Sequence, residues 1–275
     1  MKNNISRRDF IKTTTVGTAG IVSAGSLLST AGCSKEDLQF AIPMPIMNTL
    51  GATSYTATIQ EYRISNHAQW SSWVKNSGDR VKKATIDHES SKRVNNFAWS
   101  YELLDDKTIN AWCMPGARIA FYEGIMPLCA NEDGVGIVMG HEIAHAVKNH
   151  SGQRMAQQLA IQLGITALSA AVDAVLDPSP IVQNIALQVF GAGGTLVALA
   201  YSRKHEYEAD KTGLIYAARA GYDPKEAPKF WRRMSALGGG GPEFLSTHPS
   251  NENRIKELEA AIPEAMKYYN EYHGI

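Results

Sequence analysis

Cysteine is scarce: three occur in 275 residues, at positions 33, 113 and 129. The chain must therefore rest on a hydrophobic core, and with 44% hydrophobic residues it is long enough for one substantial globular domain. An excess of either charge is also lacking, since 27 basic residues balance 27 acidic ones and no stripe of Lys and Arg occurs. That excludes a nucleic-acid partner. Internal repeats are absent, and the only low-complexity segment is the glycine run 238–241. Uninterrupted apolar runs of membrane length are missing too. Two stretches, 159–176 and 181–200, approach that length but carry Gln162 and Asp173 in the first and Gln183, Asn184 and Gln188 in the second. A central carboxylate costs about 2.5 to 3.5 kcal/mol on insertion. Both stretches read as buried helices or a lipid-touching surface, with a membrane hairpin as the rival.

What is present begins with an address. The segment SRRDFIK, Ser6 to Lys12, is followed by an uncharged run rich in Gly, Ser and Thr, a pattern that resembles a bacterial twin-arginine export signal. The run ends in LLSTAGC, which resembles a lipobox with Cys33 as the lipidated residue, although Thr30 stands where Leu is usual. Ordinary cleavage after STA is the alternative. The expected divisions are an export signal over 1–32, a linker or tether over 33–53 and a folded domain over 54–275. An exported chain permits disulfides. A Cys113–Cys129 bridge would close a loop of about 15 residues and contribute on the order of 3 kcal/mol; two buried thiols are the other possibility.

Residues 54–96 suit one or two amphipathic helices. FAWSYELLDD (97–106) and ARIAFYEG (117–124) read as strands, the second preceded by a turn at Pro115 and Gly116. From Glu132 onward the chain is helical in character, broken by DPSP, GYDP and GGGGP. The fold class expected is α+β, mostly α, with a small sheet.

In VGIVMGHEIAHAVKNH, residues 135–150, His141 and His145 stand four apart on one helix face with Glu142 beside them. Two imidazoles at that spacing suit Zn²⁺, and the glutamate can serve as general base toward water. A third ligand is offered by YSRKHEYEAD, where Glu206 and Asp210 lie four apart on another predicted helix. Glu206 would complete a two-histidine, one-carboxylate site, with a solvated acidic face of Glu206, Glu208 and Asp210 as the alternative. Asp210, one turn further on, can accept the second ring N–H of a ligating histidine.

Four ordered segments, NAWCMPGARIAFYEGI, HEIAH, SRKHEYEAD and STHPSNENRI, resemble the zinc metallopeptidases related to HtpX, BepA and the CaaX prenyl proteases, over roughly residues 55–260. The resemblance implies a compact gluzincin holding one Zn²⁺ per chain, with His141, His145 and Glu206 as ligands, Glu142 as general base and Asp210 behind them. It also implies that the strand Arg118, Ile119, Ala120, Phe121 and Tyr122 is an edge receiving substrate backbone. Trp112 and Cys113 depart from the family's smaller or apolar residues.

His248, followed by Pro249 and then Arg254, permits two readings. With Arg254 it could stabilise an oxyanion, or it could swing onto the metal and close the site, helped by the glycines upstream. The function implied is a zinc metalloendopeptidase of the cell envelope, lipid-anchored through Cys33 on the periplasmic side at the outer membrane, and acting on misfolded or stalled envelope proteins. Two alternatives stay open: a zinc-bearing chaperone or assembly factor closed by His248, and a membrane-embedded enzyme of the prenyl-protease type.

Overall fold

The structure, a computed structural model, describes residues 41–275 apart from 91, 166, 178, 191–200, 238–242 and 249–251. The expected export signal, Thr30, Cys33, the glycines 238–241, Pro249 and the second half of the later apolar stretch lie outside the described residues.

Among the described residues the first element is helix α1, Met44–Ile59, which starts inside the segment expected to be a linker. Ile42 and Met47 are fully buried, and the Ile42 N–H donates to the Gly152 carbonyl. These residues therefore belong to the folded domain, because their side chains complete its core. Helix α2, Ala68–Glu89, is capped by His67, whose ring accepts the Trp70 N–H. The sheet follows as β1 (Ser100–Leu104), β2 (Ala111–Met114) and β3 (Arg118–Tyr122).

Strand order is β1-β3-β2, with β3 parallel to β1 and antiparallel to β2. This corrects the expectation for Arg118, Ile119, Ala120, Phe121 and Tyr122: they form the central strand, and the edge beside it is β2. The cause is visible in the packing. Ile119, Phe121, Ala111 and Cys113 enter one apolar cluster, while Ala120, Tyr122, Trp112 and Met114 enter another. A strand covered on both faces carries an unbroken apolar run.

One helical layer comprises α2, α3 (Glu132–Val147), α7 (Arg203–Arg219), α8 (Glu226–Ser235) and α10 (Glu252–His273). The other comprises α1, α4 (His150–Leu163), α5 (Leu168–Leu176) and α6 (Pro180–Phe190). The apolar stretch 159–176 is not one helix. Gly164, at φ +65°, ends α4 in the left-handed region, and α5 departs at 96°. Among the described residues no single helix is long and apolar enough to cross a membrane; α4 and α5 pass that test only as a bent pair.

The bridge between Cys113 and Cys129 is not formed. Cys113 lies on β2 and turns its Sγ toward the Met114 carbonyl, while Cys129 ends the short turn Met126–Cys129. Both thiols are buried and free. Burial pushes Cys129 up to about 12 and raises Cys113 well above the usual thiol range, which leaves them unreactive.

Candidate metal centre

Helix α3 carries His141, Glu142 and His145. Its first turn is fixed by Asn131, whose Oδ1 accepts the Gly134 N–H at 2.8 Å, with Glu132 and Asp133 at the positive end of the helix dipole. Helix α7 brings Glu206 and Asp210, and its cap is Ser202, which accepts the His205 N–H. The two helices touch at glycines. A Cβ on Gly140 would stand 2.5 Å from the Gly213 carbonyl oxygen, and one on Gly213 would stand 2.7 Å from the backbone of Gly140 and His141. This close approach lets a carboxylate on one helix meet imidazoles on the other.

His248 arrives from α9, Glu243–Thr247, with its backbone N–H donating to the Phe244 carbonyl and its ring stacked on Phe244. The result is one buried cluster of His141, His145, Glu206 and His248. His141 Nε2 lies 3.0 Å from His145 Nε2 and 3.2 Å from His248 Nδ1. Glu206 Oε1 lies 3.4 Å from His145 Nε2 and 3.1 Å from His248 Nδ1. A tetrahedral site with bonds of about 2.0 to 2.1 Å has edges of about 3.3 to 3.4 Å. Three imidazole nitrogens and a carboxylate oxygen at this spacing fit Zn²⁺.

The electrostatics agree with that chemistry. Burial holds His145 well below the usual imidazole range and lowers His248, so both rings are neutral and able to ligate. Burial alone would raise Glu206, but Arg254 and His248 overcome it and hold the carboxyl well below its usual range. Asp210 follows the same pattern: burial opposes ionisation and Arg254 restores it. Glu142 differs. Burial pushes it up to about 8, with Glu206 adding to the rise while His141 and Arg254 oppose it.

Asp210 Oδ1 lies 3.0 Å from His141 Nδ1, on the side of the ring away from the cluster. Arg254 is 1% exposed and sits behind the ligands. It pairs with both Glu206 and Asp210, donating from Nη2 to Asp210 Oδ1 at 2.8 Å, and lies 3.7 Å over the Trp231 ring. Arg254 is thus a buried clamp on two carboxylates. His248 meets the cluster through Nδ1 and stands 3.4 Å from Glu142 Oε1 through Nε2.

A cavity beside Glu142 and His248 is lined by Asn110, Ala111, Trp112, Arg154 and Tyr201. Both polar atoms of the Asn110 amide are buried there with no hydrogen-bond partner among the described residues, as is Glu142 Oε1. Sequence reasoning missed Asn110, although its place directly before AWCM, at the start of an edge strand, was a usable signal.

The family model described as Peptidase family M48 matches residues 72–262. The chain belongs to peptidase family M48. Among curated proteins similar to it, the mitochondrial metalloendopeptidase OMA1 of Schizosaccharomyces pombe is 35% identical over 176 residues, 63% of this chain and 49% of that protein. The Arabidopsis thaliana protein of the same name is 31% identical over 72% of this chain and 39% of its own length. The beta-barrel assembly-enhancing protease of Escherichia coli is 28% identical over 62% of this chain and 35% of its own length. The chain thus spans about half or less of these relatives. The M48 match covers both α3 and α7, which carry the metal-facing residues, and the sheet between the two helical layers.

Proposed function

We propose that this M48 chain is a zinc-dependent metalloendopeptidase whose resting site is closed by His248. The observation that carries the reading is the buried set of four donor atoms, all within 4.8 Å of one another, with Glu142 directly beside them. Zinc, when bound, supplies Lewis-acid polarisation of the scissile carbonyl and a more acidic water. Glu142 then accepts the proton of the attacking water and passes it to the leaving nitrogen. Asp210 orients His141 through Nδ1, and Arg254 keeps the two carboxylates ionised around it.

Substrate backbone would pair with β2. The Tyr122 N–H donates to the Asn110 carbonyl, so residues 110, 112 and 114 point their backbone groups toward β3 under antiparallel alternation, and those of Ala111 and Cys113 point to the outer edge. Asn110 would hold the substrate chain at the end of that edge. Backbone pairing of this kind tolerates varied sequences, which suits polypeptides that are misfolded or stalled. The resemblance of residues 1–32 to an export signal, and of the segment ending at Cys33 to a lipobox, support a cell-envelope enzyme anchored by lipid on the periplasmic side, with protein quality control as its role. The E. coli relative, by its name, acts in beta-barrel assembly.

The closed position of His248 also favours a second reading, a zinc-bearing assembly factor that binds without cutting. Cleavage of unfolded casein separates the two. The wild type should cut slowly, Glu142→Gln and a chelated sample should be silent, and His248→Ala should cut faster than wild type. A His248→Ala protein that binds one zinc per chain and cuts nothing would leave the assembly-factor reading.

A further inference from the structure

His145 faces the cluster with Nε2, and its other nitrogen is not idle. His145 Nδ1 lies 2.9 Å from His150 Nδ1, and His150 Nε2 lies 3.3 Å from Glu208 Oε2. His150 is fully buried, whereas the Glu208 side chain is 41% exposed. A buried imidazole therefore joins a metal-facing histidine to a carboxylate at the protein surface.

The placement is built. Asn149 takes the left-handed conformation at φ 55° and ψ 36° between α3 and α4, an uncommon state for a residue other than glycine. Its side chain is held there by donating to the Ile42 carbonyl at 2.9 Å. His150, the first residue of α4, is thereby turned back under His145. Its ring stacks on His205 at 4.4 Å and 21°, and His205 is held in turn by Gln153 at 3.0 Å.

Proton placement in this chain has one consistent direction. If His145 Nε2 gives its lone pair to a metal, its proton sits on Nδ1 and is donated to His150. His150 Nδ1 must then accept, which puts its own proton on Nε2, facing Glu208. We infer that His150 and Glu208 form a positioning relay that fixes the tautomer and orientation of His145. His141 is served directly by Asp210, and His145 is served by a carboxylate one imidazole further away. The inference rests on the zinc reading of the cluster. His150 and Glu208 touch neither substrate nor metal, so they act through His145.

Partners behind a ligating histidine typically change metal affinity by about 10- to 100-fold. Two readouts on the full chain test the relay. In the zinc-loaded protein, ¹H–¹⁵N imidazole spectra should show the proton of His145 on Nδ1 and that of His150 on Nε2. Finding the proton of His150 on Nδ1 would overturn the inference. In competition with a chromophoric chelator, Glu208→Ala and His150→Phe should each weaken zinc binding, His150→Phe by about 10-fold or more. The double variant should be no weaker than His150→Phe, because Glu208 acts through that ring. Unchanged affinity in Glu208→Ala, or additive losses in the double variant, would contradict the relay. Should His150→Phe fail to fold, the half-exposed Glu208→Ala still decides the question. A wild type that binds no zinc would instead remove the zinc reading itself.

Discussion

At the scale of single residues, the centre is held by charges arranged around neutral histidines. Arg254 neutralises two buried carboxylates at once, and removing one partner of such a buried set typically costs about 3 to 5 kcal/mol. Arg254→Met should therefore lower the urea unfolding free energy of the metal-free protein by that order and weaken zinc binding. A loss below about 1 kcal/mol would show that Arg254 is not the clamp described. Histidines around the cluster set an acid limit. Burial lowers His150 to about 3 and His205 to about 4, below the unfolded value of about 6.5. Between those values the unfolded chain binds protons that the folded chain does not, so stability falls as pH drops below about 6.5. The melting temperature of chelated protein should decline from pH 7 toward pH 5. His205→Gln should decline less steeply, and a flat profile in the wild type would contradict these assignments.

At the scale of elements, the site depends on how closely α3 and α7 approach. Neither Gly140 nor Gly213 has room for a methyl group, and forcing one in pushes backbone against backbone. Gly213→Ala should destabilise the fold by about 1 to 3 kcal/mol. It should also weaken zinc binding, since it moves the helix carrying Glu206 away from the helix carrying the histidines. Denaturant unfolding and chelator competition read the two effects; full retention of zinc affinity would mean the helix spacing is not what sets the site. The helix over Glu132–Val147 was legible in the sequence because its cap, its acidic first turn and its histidine spacing are local. The central position of β3 was harder to read. Its unbroken IAFY run reflects cover on both faces, and that cover comes from helices distant in sequence. Strand β2 was missed because it has only four residues and runs directly into Pro115 and Gly116.

At the scale of the whole molecule, the cluster's residues on α3 and α7, Asp210 behind them included, were legible, and the contacts made by Arg254 and His150 were not. His141, Glu142, His145 and Glu206 are marked by spacing along helices. Arg254 and His150 take their roles from tertiary contacts, with Asp210 and with His145, across the fold. Two helical layers on one small sheet make a buried metal site possible, with a cavity lined by Asn110 and β2 residues beside it. The central claim is that one Zn²⁺ is held by three imidazoles and one carboxylate in this buried cluster. X-ray absorption at the zinc edge of the full chain tests it most directly. The account predicts one zinc per chain with four N/O ligands at about 2.0 to 2.1 Å, and loss of one imidazole contribution in His248→Ala. A sulfur ligand at about 2.3 Å, or zinc retained unchanged after His141 and His145 are both replaced, would contradict it.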